Sequence, residues 1–404
     1  MRKIANFPVE FVVVCCDIGT DLNLNQPPVR RLFAFAFLLL ALASCTSSEK
    51  KLNRGLAKAE GGEYYVDTLT SALQNPWGMA FLPDGRMLIT ERGGSIRIMK
   101  DDVLLPDTLT GVPAVLAKGQ GGLLDIQLHP DYATNGWIYF SFSKPVQNDT
   151  TSATVIARAK INGNTLTDVQ ELFQAKDPAT TFHHFGSRIQ FDGNGYMFFS
   201  SGERGTKENS QNLGNHLGKI LRLHDDGKVP TDNPFVNVAG ALPEIWSYGH
   251  RNPQGLYFDK ETGTLWEHEH GPKGGDELNI VVKGKNYGWP VITYGINYDG
   301  TIITEEKAKE GMEQPVHYWV PSIGPCGMER VTSDRYPAWK GNFLIGSLSF
   351  QFLSRVQVDG QQFVKEERLL EKIGRVRAIR QSPDGFLYVA SEMPGKILKL
   401  VPKQ

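Results

Sequence analysis

A short pattern of apolar and turn-forming residues recurs along the body of the chain. In its clearest copy, residues 75–81 lead to a Pro-Asp-Gly turn at 83–85, which is followed by β-rich stretches at 86–90 and 94–99. Asp-Gly turns tolerate positive φ angles, and the flanking stretches alternate or are rich in strand-forming residues. The pattern therefore predicts a strand, a turn, a strand, a turn and a further strand.

The pattern is found six times. A second clear copy lies near the C-terminus, where residues 376–381 precede another Pro-Asp-Gly turn. Weaker copies lie between these two, at 124–140, 187–200, 255–267 and 328–346. Their spacing of roughly 45 to 75 residues is typical of propeller blades with insertions.

We therefore predict an all-β fold, a six-bladed β-propeller of four-stranded blades over residues 63–404. The segment 64–69 would complete the last blade and close the ring. A tandem of β-sandwiches is the alternative, but it explains the recurring turn less well.

Composition supports a folded protein and disfavours one class of partner. The 404 residues include 43 Lys and Arg against 44 Asp and Glu, a formal net charge of −1. This balance argues against a protein whose main partner is nucleic acid. Charged residues at 22% and hydrophobic residues at 40% are ordinary for a globular chain.

The N-terminal region reads as a signal segment. Arg30 and Arg31 precede an apolar run at 32–43, and this run is too short to span a bilayer. It ends in Leu-Ala-Ser-Cys at 42–45, which resembles a bacterial lipoprotein box. We therefore predict a signal segment at 1–44, lipidation of Cys45, and a tether at 45–62. The alternative is ordinary cleavage with a coincidental cysteine.

These features predict a protein of the cell envelope or periplasm that meets the membrane only through a lipid anchor. Residues 1–28 fit a signal segment badly, which favours a translation start near Val29. Of the four cysteines, only Cys45 and Cys326 would then remain, so no disulfide framework is expected.

Five regions of the body are not required by the blade pattern. Each precedes or follows a predicted strand, so we expect them to converge on one mouth of the central channel, where propeller function concentrates. They are 119–124, 183–188, 248–255, 269–277 with its continuation to 286–290, and 374–377.

The histidines among them allow structural and functional interpretations. In an extended chain His183 and His184 point opposite ways, so at most one faces a site. A histidine beside a glycine turn is often only a structural hydrogen-bonding group. His268 and His270 share one face of a strand and would suit zinc, but no third ligand is evident.

The remaining polar groups also allow both a structural and a functional interpretation. Arg375 and Arg377 share a face, and they either bind an anionic group in two places or form a solvated strand edge. The carbonyls of Gly271 and Pro272 are ligands that Ca²⁺ accepts, although most Gly-Pro turns bind nothing. Arg251 either stabilises a turn or serves the site.

Together these regions resemble the soluble aldose (glucose/sorbosone-type) dehydrogenases that use pyrroloquinoline quinone, PQQ. The matching stretches include Gly-Gln-Gly-Gly-Leu-Leu at 119–124, Gly-His-Arg-Asn-Pro-Gln-Gly at 249–255 and Asn-Tyr-Gly-Trp-Pro at 286–290. They follow the order of the family and extend over 75–402. The resemblance implies a six-bladed propeller that oxidises an aldose at its anomeric carbon to a lactone. It implies hydride transfer to Ca²⁺-bound PQQ and reoxidation by an external electron acceptor.

The resemblance also implies roles for individual residues. His184 matches the general base, a task suited to imidazole, and Arg251 matches the group that polarises the quinone carbonyl. The other matches are Gln120 with substrate and quinone oxygens, Asn252 with the quinone, Arg375 and Arg377 with the PQQ carboxylates, Gly271 and Pro272 with Ca²⁺, and Trp319 with the substrate.

The sequence departs from the family in three ways. Ser349 stands where the family has a PQQ-binding lysine, a charge that Lys340 or Arg355 would have to replace. His183 stands where some members carry an acidic neighbour of the base. Long insertions known in glucose-oxidising members, including those linked to dimerisation, are absent.

Two rival functions follow from the same fold. A Ca²⁺-dependent lactonase-type hydrolase would need carboxylates such as Glu203, Asp276 and Glu277 to converge on one metal. A non-catalytic propeller that binds carbohydrate or protein would have lost PQQ together with the lysine. A second, structural Ca²⁺ near Glu277 and Tyr287 is a further hypothesis.

Overall fold

The computed structural model describes residues 53–403, and the structural statements below concern this range. The predicted signal segment and Cys45 lie outside it. Within it, the strands form six antiparallel sheets. Five sheets have four strands and the sixth has five, which confirms the prediction of a six-bladed propeller.

The strands follow one another blade by blade along the chain. Two strands precede the first complete blade: β1 (Asn53–Ala59) and β2 (Gly62–Leu73). The first three blades contain β3 (Pro76–Phe81), β4 (Arg86–Glu91), β5 (Ser95–Lys100) and β6 (Val103–Leu109); β7 (Leu123–Leu128), β8 (Ile138–Val146), β9 (Thr151–Asn162) and β10 (Thr165–Gln174); and β11 (Ile189–Phe191), β12 (Tyr196–Ser201), β13 (Lys219–His224) and β14 (Ile245–Tyr248). The last three contain β15 (Pro253–Asp259), β16 (Thr264–Glu269), β17 (Asp276–Val281) and β18 (His317–Trp319); β19 (Pro325–Arg330), β20 (Phe343–Ser347), β21 (Leu353–Asp359) and β22 (Gln362–Leu370); and β23 (Val376–Gln381), β24 (Leu387–Glu392) and β25 (Gly395–Pro402).

Helical structure is short in the described part of the chain. It consists of an α-helix, α1 (Tyr132–Asn135), and a 3₁₀-helix (Lys207–Gln211). In residues 53–403 no helix is both long enough and apolar enough to cross a membrane.

The core consists of buried apolar clusters between successive blades. Leu88 of the first blade packs with Phe140 of the second, and Trp266 of the fourth packs with Phe343 of the fifth. Strands buried on both faces explain why several copies of the repeat are almost continuously apolar rather than alternating. Burial of these faces holds the blades in register without a disulfide.

The ring is closed by the N-terminal strands. β2 pairs with β25 from Tyr64 opposite Pro402 to Leu73 opposite Gly395, as predicted from the segment 64–69. β1 then adds to the free edge of β2. The prediction that residues 45–62 form a tether is therefore wrong for 53–59. An unpaired outer edge of β2 would leave backbone groups without partners, and β1 satisfies them.

The two ends of the propeller are built differently. In an antiparallel blade, the start of the first strand and the end of the second lie at the same end of the sheet. The regions around 120, 184, 251 and 375 all precede first strands, so they share this end. The Asp-Gly turns join first strands to second strands and lie at the opposite end.

Candidate active site

Two adjoining cavities open at the end where these regions meet. Their linings share Gln120 and Tyr298. We call the first the arginine cavity, and its polar lining includes Arg92, Gln120, Ser349, Arg375, Arg377 and Glu392. We call the second the imidazole cavity, and its lining includes Gln120, His183, His184, Glu203, Arg251 and Trp289. Most of the site residues predicted from the sequence line one cavity or both: Gln120, His184, Arg251, Gly271, Pro272, Arg375 and Arg377.

The arginine cavity is organised by a buried carboxylate. Glu392, at the end of β24, accepts a hydrogen bond from Arg375 Nε at 2.6 Å and one from Arg377 Nε at 2.8 Å. Burial alone would raise the pKa of Glu392, but Arg377 and Arg375 lower it, so the carboxylate stays ionised. The two arginines are thus held on one face by a residue that the sequence did not single out. The sequence signal that could have identified Glu392 is a carboxylate in the strand next to the Arg-x-Arg segment.

The Nη1 group of each arginine also contacts protein. Arg375 Nη1 donates to the carbonyl of Leu348 at 3.2 Å. Arg377 Nη1 lies 3.3 Å from Gln254 Oε1 and from Cys326 Sγ. Both side chains are therefore fixed before any ligand arrives, which lowers the entropic cost of binding one.

The imidazole cavity centres on His184 and a buried glutamate. His184 Nδ1 lies 2.7 Å from Glu203 Oε1, and the exposed fractions of the two side chains are 12% and 3%. The backbone N–H of His184 donates to Gln120 Oε1 at 2.8 Å. A carboxylate on Nδ1 selects the tautomer whose lone pair is on Nε2. Glu203 was considered in the sequence only as a metal ligand, and its partnership with His184 was missed.

The environment favours a neutral imidazole. Burial lowers the pKa of His184, Glu203 partly restores it, and the nearby charge of Arg251 lowers it again. A histidine with a lowered pKa is unprotonated at neutral pH and is able to accept a proton.

The prediction that only one of the two adjacent histidines faces the site is wrong. His184 has a φ of 55°, so the chain is not extended here and both rings line the same cavity. The rings meet edge to face with centroids 4.6 Å apart. A Cβ at position 205 would lie 2.3 Å from His183 Nε2, so Gly205 makes room for that ring.

A buried arginine holds this strained turn in place. Arg204 Nε donates to the carbonyl of His183 at 3.0 Å, and its Nη1 donates to the carbonyl of Ser152 at 3.1 Å. Its guanidinium also lies 3.8 Å from the ring centroid of Phe185. Burial lowers the pKa of Arg204 to about 10, which leaves it charged at neutral pH.

Arg251 connects the two cavities. Its Nη1 donates to the carbonyl of Gly271 at 2.7 Å and to that of His270 at 3.1 Å. The turn at Gly271 is in turn held by Asp276, which accepts its N–H at 2.8 Å. Arg251 is thus a buried cation that lines the imidazole cavity and is held by two residues of the arginine cavity, rather than an exposed turn residue.

Two predicted contact residues do not line either cavity. Asn252 is buried, and its Oδ1 accepts the N–H of Gly186 at 3.1 Å, so it joins two loops behind the site. Trp319 points into the core between the fourth and fifth blades, and its Nε1 donates to Glu366 at 3.1 Å. Strand alternation buries Trp319 and leaves its neighbour Tyr318 exposed. The predicted direct contacts of Asn252 and Trp319 with ligand are therefore not supported.

Ser349 lines the arginine cavity, as its alignment with the family lysine required. Neither suggested replacement for the lysine reaches the cavity. Arg355 is buried and donates to Glu60 at 3.1 Å and to Glu367 at 2.6 Å, and Lys340 pairs with Asp334. Both cations are therefore committed to carboxylates elsewhere and line neither cavity.

The structure does not support zinc at His268 and His270. Their Nε2 atoms face the carbonyls of Gly327 and Pro325, at 3.1 Å and 2.8 Å. The Nε2 atom of each ring therefore forms a backbone hydrogen bond instead of facing a metal site. Burial lowers the pKa of His268 to about 3, so this ring stays neutral.

Carboxylates do not converge as a lactonase-type metal site would require. Glu203 contacts His184, Asp276 holds Gly271, and Glu277 lies beside Asn279.

A separate buried cluster, formed by His250, Glu267 and Glu269, has ligand atoms within 4.8 Å of one another. Although burial opposes it, the two glutamates raise the pKa of His250 to about 9, so the imidazolium balances their charge.

Comparison with known proteins agrees with this arrangement. A family model described as glucose/sorbosone dehydrogenase matches residues 73–399. Aldose sugar dehydrogenase YliI of Escherichia coli (strain K12) is 43% identical over 345 residues, which cover 84% of this chain and 93% of that protein.

Solved structures give the same result. The soluble aldose sugar dehydrogenase from Escherichia coli in the apo-form superposes with a TM-score of 0.81 at 41% identity, covering 84% of this chain and 99% of that one. The PQQ-bound form of aldose sugar dehydrogenase from Streptomyces coelicolor superposes with a TM-score of 0.68 at 28% identity, covering 83% and 96%.

The fold and the mouth define a class, a six-bladed β-propeller with two adjoining cavities formed by the loops at one end of its blades. The chain belongs to the glucose/sorbosone dehydrogenase family. This membership confirms the resemblance noted in the sequence.

Proposed function

We propose that this protein is a PQQ-dependent oxidoreductase that oxidises aldose sugars at the anomeric carbon to lactones. The observation that carries the proposal is the juxtaposition of a neutral imidazole, held by Glu203, with a cavity lined by arginines. The names of its relatives support it, since one is an aldose sugar dehydrogenase and one was solved in a PQQ-bound form.

The donor set of the arginine cavity fits PQQ, which carries three carboxylates. Three guanidinium groups line this cavity, and within residues 53–403 the carboxylate paired with two of them, Arg375 and Arg377, is that of Glu392 alone. The backbone carbonyls of Gly271 and Pro272 are adjacent and are ligands that Ca²⁺ accepts. The carbonyl oxygen of Gly271 accepts one hydrogen bond from Arg251, which leaves its second lone pair for the metal. When bound, PQQ would supply the acceptor for the hydride, which carries both electrons from the sugar, and Ca²⁺ would polarise the quinone.

The chain itself would supply the base. Because Glu203 occupies Nδ1, the Nε2 lone pair of His184 is the free site that takes the proton of the anomeric hydroxyl. Glu203 also stabilises the imidazolium that forms. Gln120 fixes the backbone of His184 and lies in both cavities, where it orients groups on either side.

Arg251 would stabilise developing negative charge near the border of the cavities. Its Nη1 is held by two carbonyls, so the cation is oriented in advance and no reorganisation is needed during the reaction. Its guanidinium lies 5.3 Å from the ring centroid of Trp289, which lines the same cavity.

Reconstitution tests the proposal directly. Purified apoprotein is mixed with PQQ and Ca²⁺, and sugar-dependent reduction of a dye, standing in for the external electron acceptor, is followed over a broad panel of aldoses. We expect turnover that needs both PQQ and Ca²⁺ and is lost with chelator. No turnover on any aldose, with no binding of PQQ, would favour a non-catalytic carbohydrate- or protein-binding propeller, and lactone hydrolysis without PQQ would favour the hydrolase.

We also propose that Cys45 carries a lipid and anchors the protein in the cell envelope, outside the cytoplasm. The support is the Leu-Ala-Ser-Cys sequence after the apolar run. Mass spectrometry of the mature N-terminus should find Cys45 as the first residue with acyl groups attached. An unmodified N-terminus beyond Cys45 would contradict the proposal.

A further inference from the structure

One cation of the arginine cavity has no partner in the described protein. Arg92 follows β4 and lines the cavity beside Arg375 and Arg377. Within residues 53–403 its guanidinium takes part in no hydrogen bond or salt bridge, and only the more distant charges of Glu392, Arg377 and Arg375 act on it. A half-buried cation that has lost part of its hydration without gaining a partner is unfavourable, unless a ligand completes its environment.

The contrast with its neighbours is marked. Arg375 and Arg377 share the carboxylate of Glu392, with Nε–Oε1 and Nη2–Oε2 distances of 2.6 Å. Their charge is therefore partly balanced before a ligand binds. Of the three guanidinium groups, Arg92 is the one that no carboxylate of the described residues pairs with.

The direction of Arg92 is set by the glycine-rich segment opposite it. Its backbone N–H donates to Asn75 at 3.1 Å and its carbonyl accepts from Leu123 at 3.0 Å. Gly122 has a φ of +140°, and a Cβ there would lie 2.0 Å from the carbonyl oxygen and 2.6 Å from Cγ of Arg92. The missing side chain at Gly122 thus leaves the space in which Arg92 enters the cavity.

We propose that Arg92 binds a carboxylate of the anionic ligand in the arginine cavity and supplies the charge that Ser349 lacks relative to the family lysine. The inference rests on the proposed function, which identifies this ligand as PQQ. Charge-assisted contacts between guanidinium and carboxylate are among the stronger hydrogen bonds of proteins.

The state of Arg92 is consistent with this role. Burial, together with the charges of Arg377 and Arg375, lowers the pKa of Arg92, while Glu392 raises it. The guanidinium nevertheless stays protonated at neutral pH, since arginine is not deprotonated under these conditions. A carboxylate entering the cavity would relieve the repulsion among the three cations.

The test is a titration of apoprotein with PQQ in the presence of Ca²⁺, followed by calorimetry, for the wild type, Arg92→Gln, Arg92→Lys and Lys118→Gln. Lys118 is the matched control because it is an exposed cation near the same mouth that stacks on Phe182 and lines neither cavity. Circular dichroism and the melting temperature establish that each variant is folded.

We expect Arg92→Gln to raise the Kd for PQQ about ten- to a hundredfold and Lys118→Gln to change it by less than about twofold. The Kd of Arg92→Gln should also depend less steeply on salt, and Arg92→Lys should recover part of the affinity. Equal Kd values for folded Arg92→Gln and wild type would overturn the inference alone. A wild type that binds no PQQ would overturn the proposed function and this inference with it.

Discussion

The two cavities at the mouth share a wall but differ in their electrostatics. Each contains one buried carboxylate, Glu392 in the arginine cavity and Glu203 in the imidazole cavity. Glu392 orients two guanidinium groups that are always charged, whereas Glu203 orients a single ring that burial keeps neutral.

The difference shows how neighbouring sites can be suited to unlike tasks. Binding a multiply charged ligand requires cations that are fixed in advance, and accepting a proton requires a group that is uncharged at the working pH. Gln120 and Tyr298 lie in both linings, so a group bound in one cavity is within reach of the other. The following variants separate the two tasks.

The largest effect is expected from the base. His184→Ala should lower kcat by on the order of a hundredfold or more, because it removes the imidazole that Glu203 orients as the base. The Kd for PQQ should remain within about twofold of wild type. His183→Ala is the matched control and should lower kcat much less, since Glu203 contacts His184 rather than His183. Equal losses in the two variants would contradict the assignment.

The second-largest effect is expected on the affinity for PQQ. Arg375→Ala and Arg377→Ala should each raise the Kd for PQQ roughly ten- to a hundredfold, which corresponds to loss of a charge-assisted contact. PQQ titration with and without chelator measures the change. If both variants bound PQQ as the wild type does, PQQ would not occupy the arginine cavity and the proposed function would fail.

A smaller effect is expected from the partner of the base. Glu203→Gln should lower kcat about tenfold, because the imidazolium loses its compensating charge. His184 must be neutral to act, so activity falls as the pH falls through its pKa. Glu203 raises that pKa, and its removal should therefore move the acidic limb of the kcat/KM profile to lower pH. A limb at higher pH, or an unchanged profile, would contradict this role.

The smallest effect is expected at Ser349, where a charge is added. Ser349→Lys should lower the Kd for PQQ about three- to tenfold, since the new ammonium would face the arginine cavity. Ser349→Gln has a side chain of similar reach without the charge and serves as the control. An equal change in both variants would indicate that side-chain volume rather than charge is responsible.

The repeat was readable from sequence because each copy is local. Asp-Gly turns and apolar flanks lie within a few residues of one another, so strands such as 86–91 and 376–381 were predicted almost to their ends. The tether was misjudged because the partner of β1 is β2, whose need for a neighbour is visible only once the ring is closed.

Local pattern also failed where backbone conformation or distant partners decide. His183 and His184 were expected on opposite sides, but the φ of 55° at His184 brings both rings into one cavity. Asn252 and Trp319 have residue types suited to ligand contact, yet both are taken up by protein partners.

The sequence by itself determined the number of blades, the end of the propeller at which the unusual segments meet, and the residue types that carry charge there. Only the tertiary structure decided which charges are paired. Glu203 is 19 residues from His184 along the chain, and Glu392 is 15 residues from Arg377. Arg92 belongs to the first blade and Arg375 to the last, and they line one cavity because the ring closes between these blades. Pairing depends on distances of a few ångströms between strands, and residue spacing along the chain does not specify these distances until the sheets have packed.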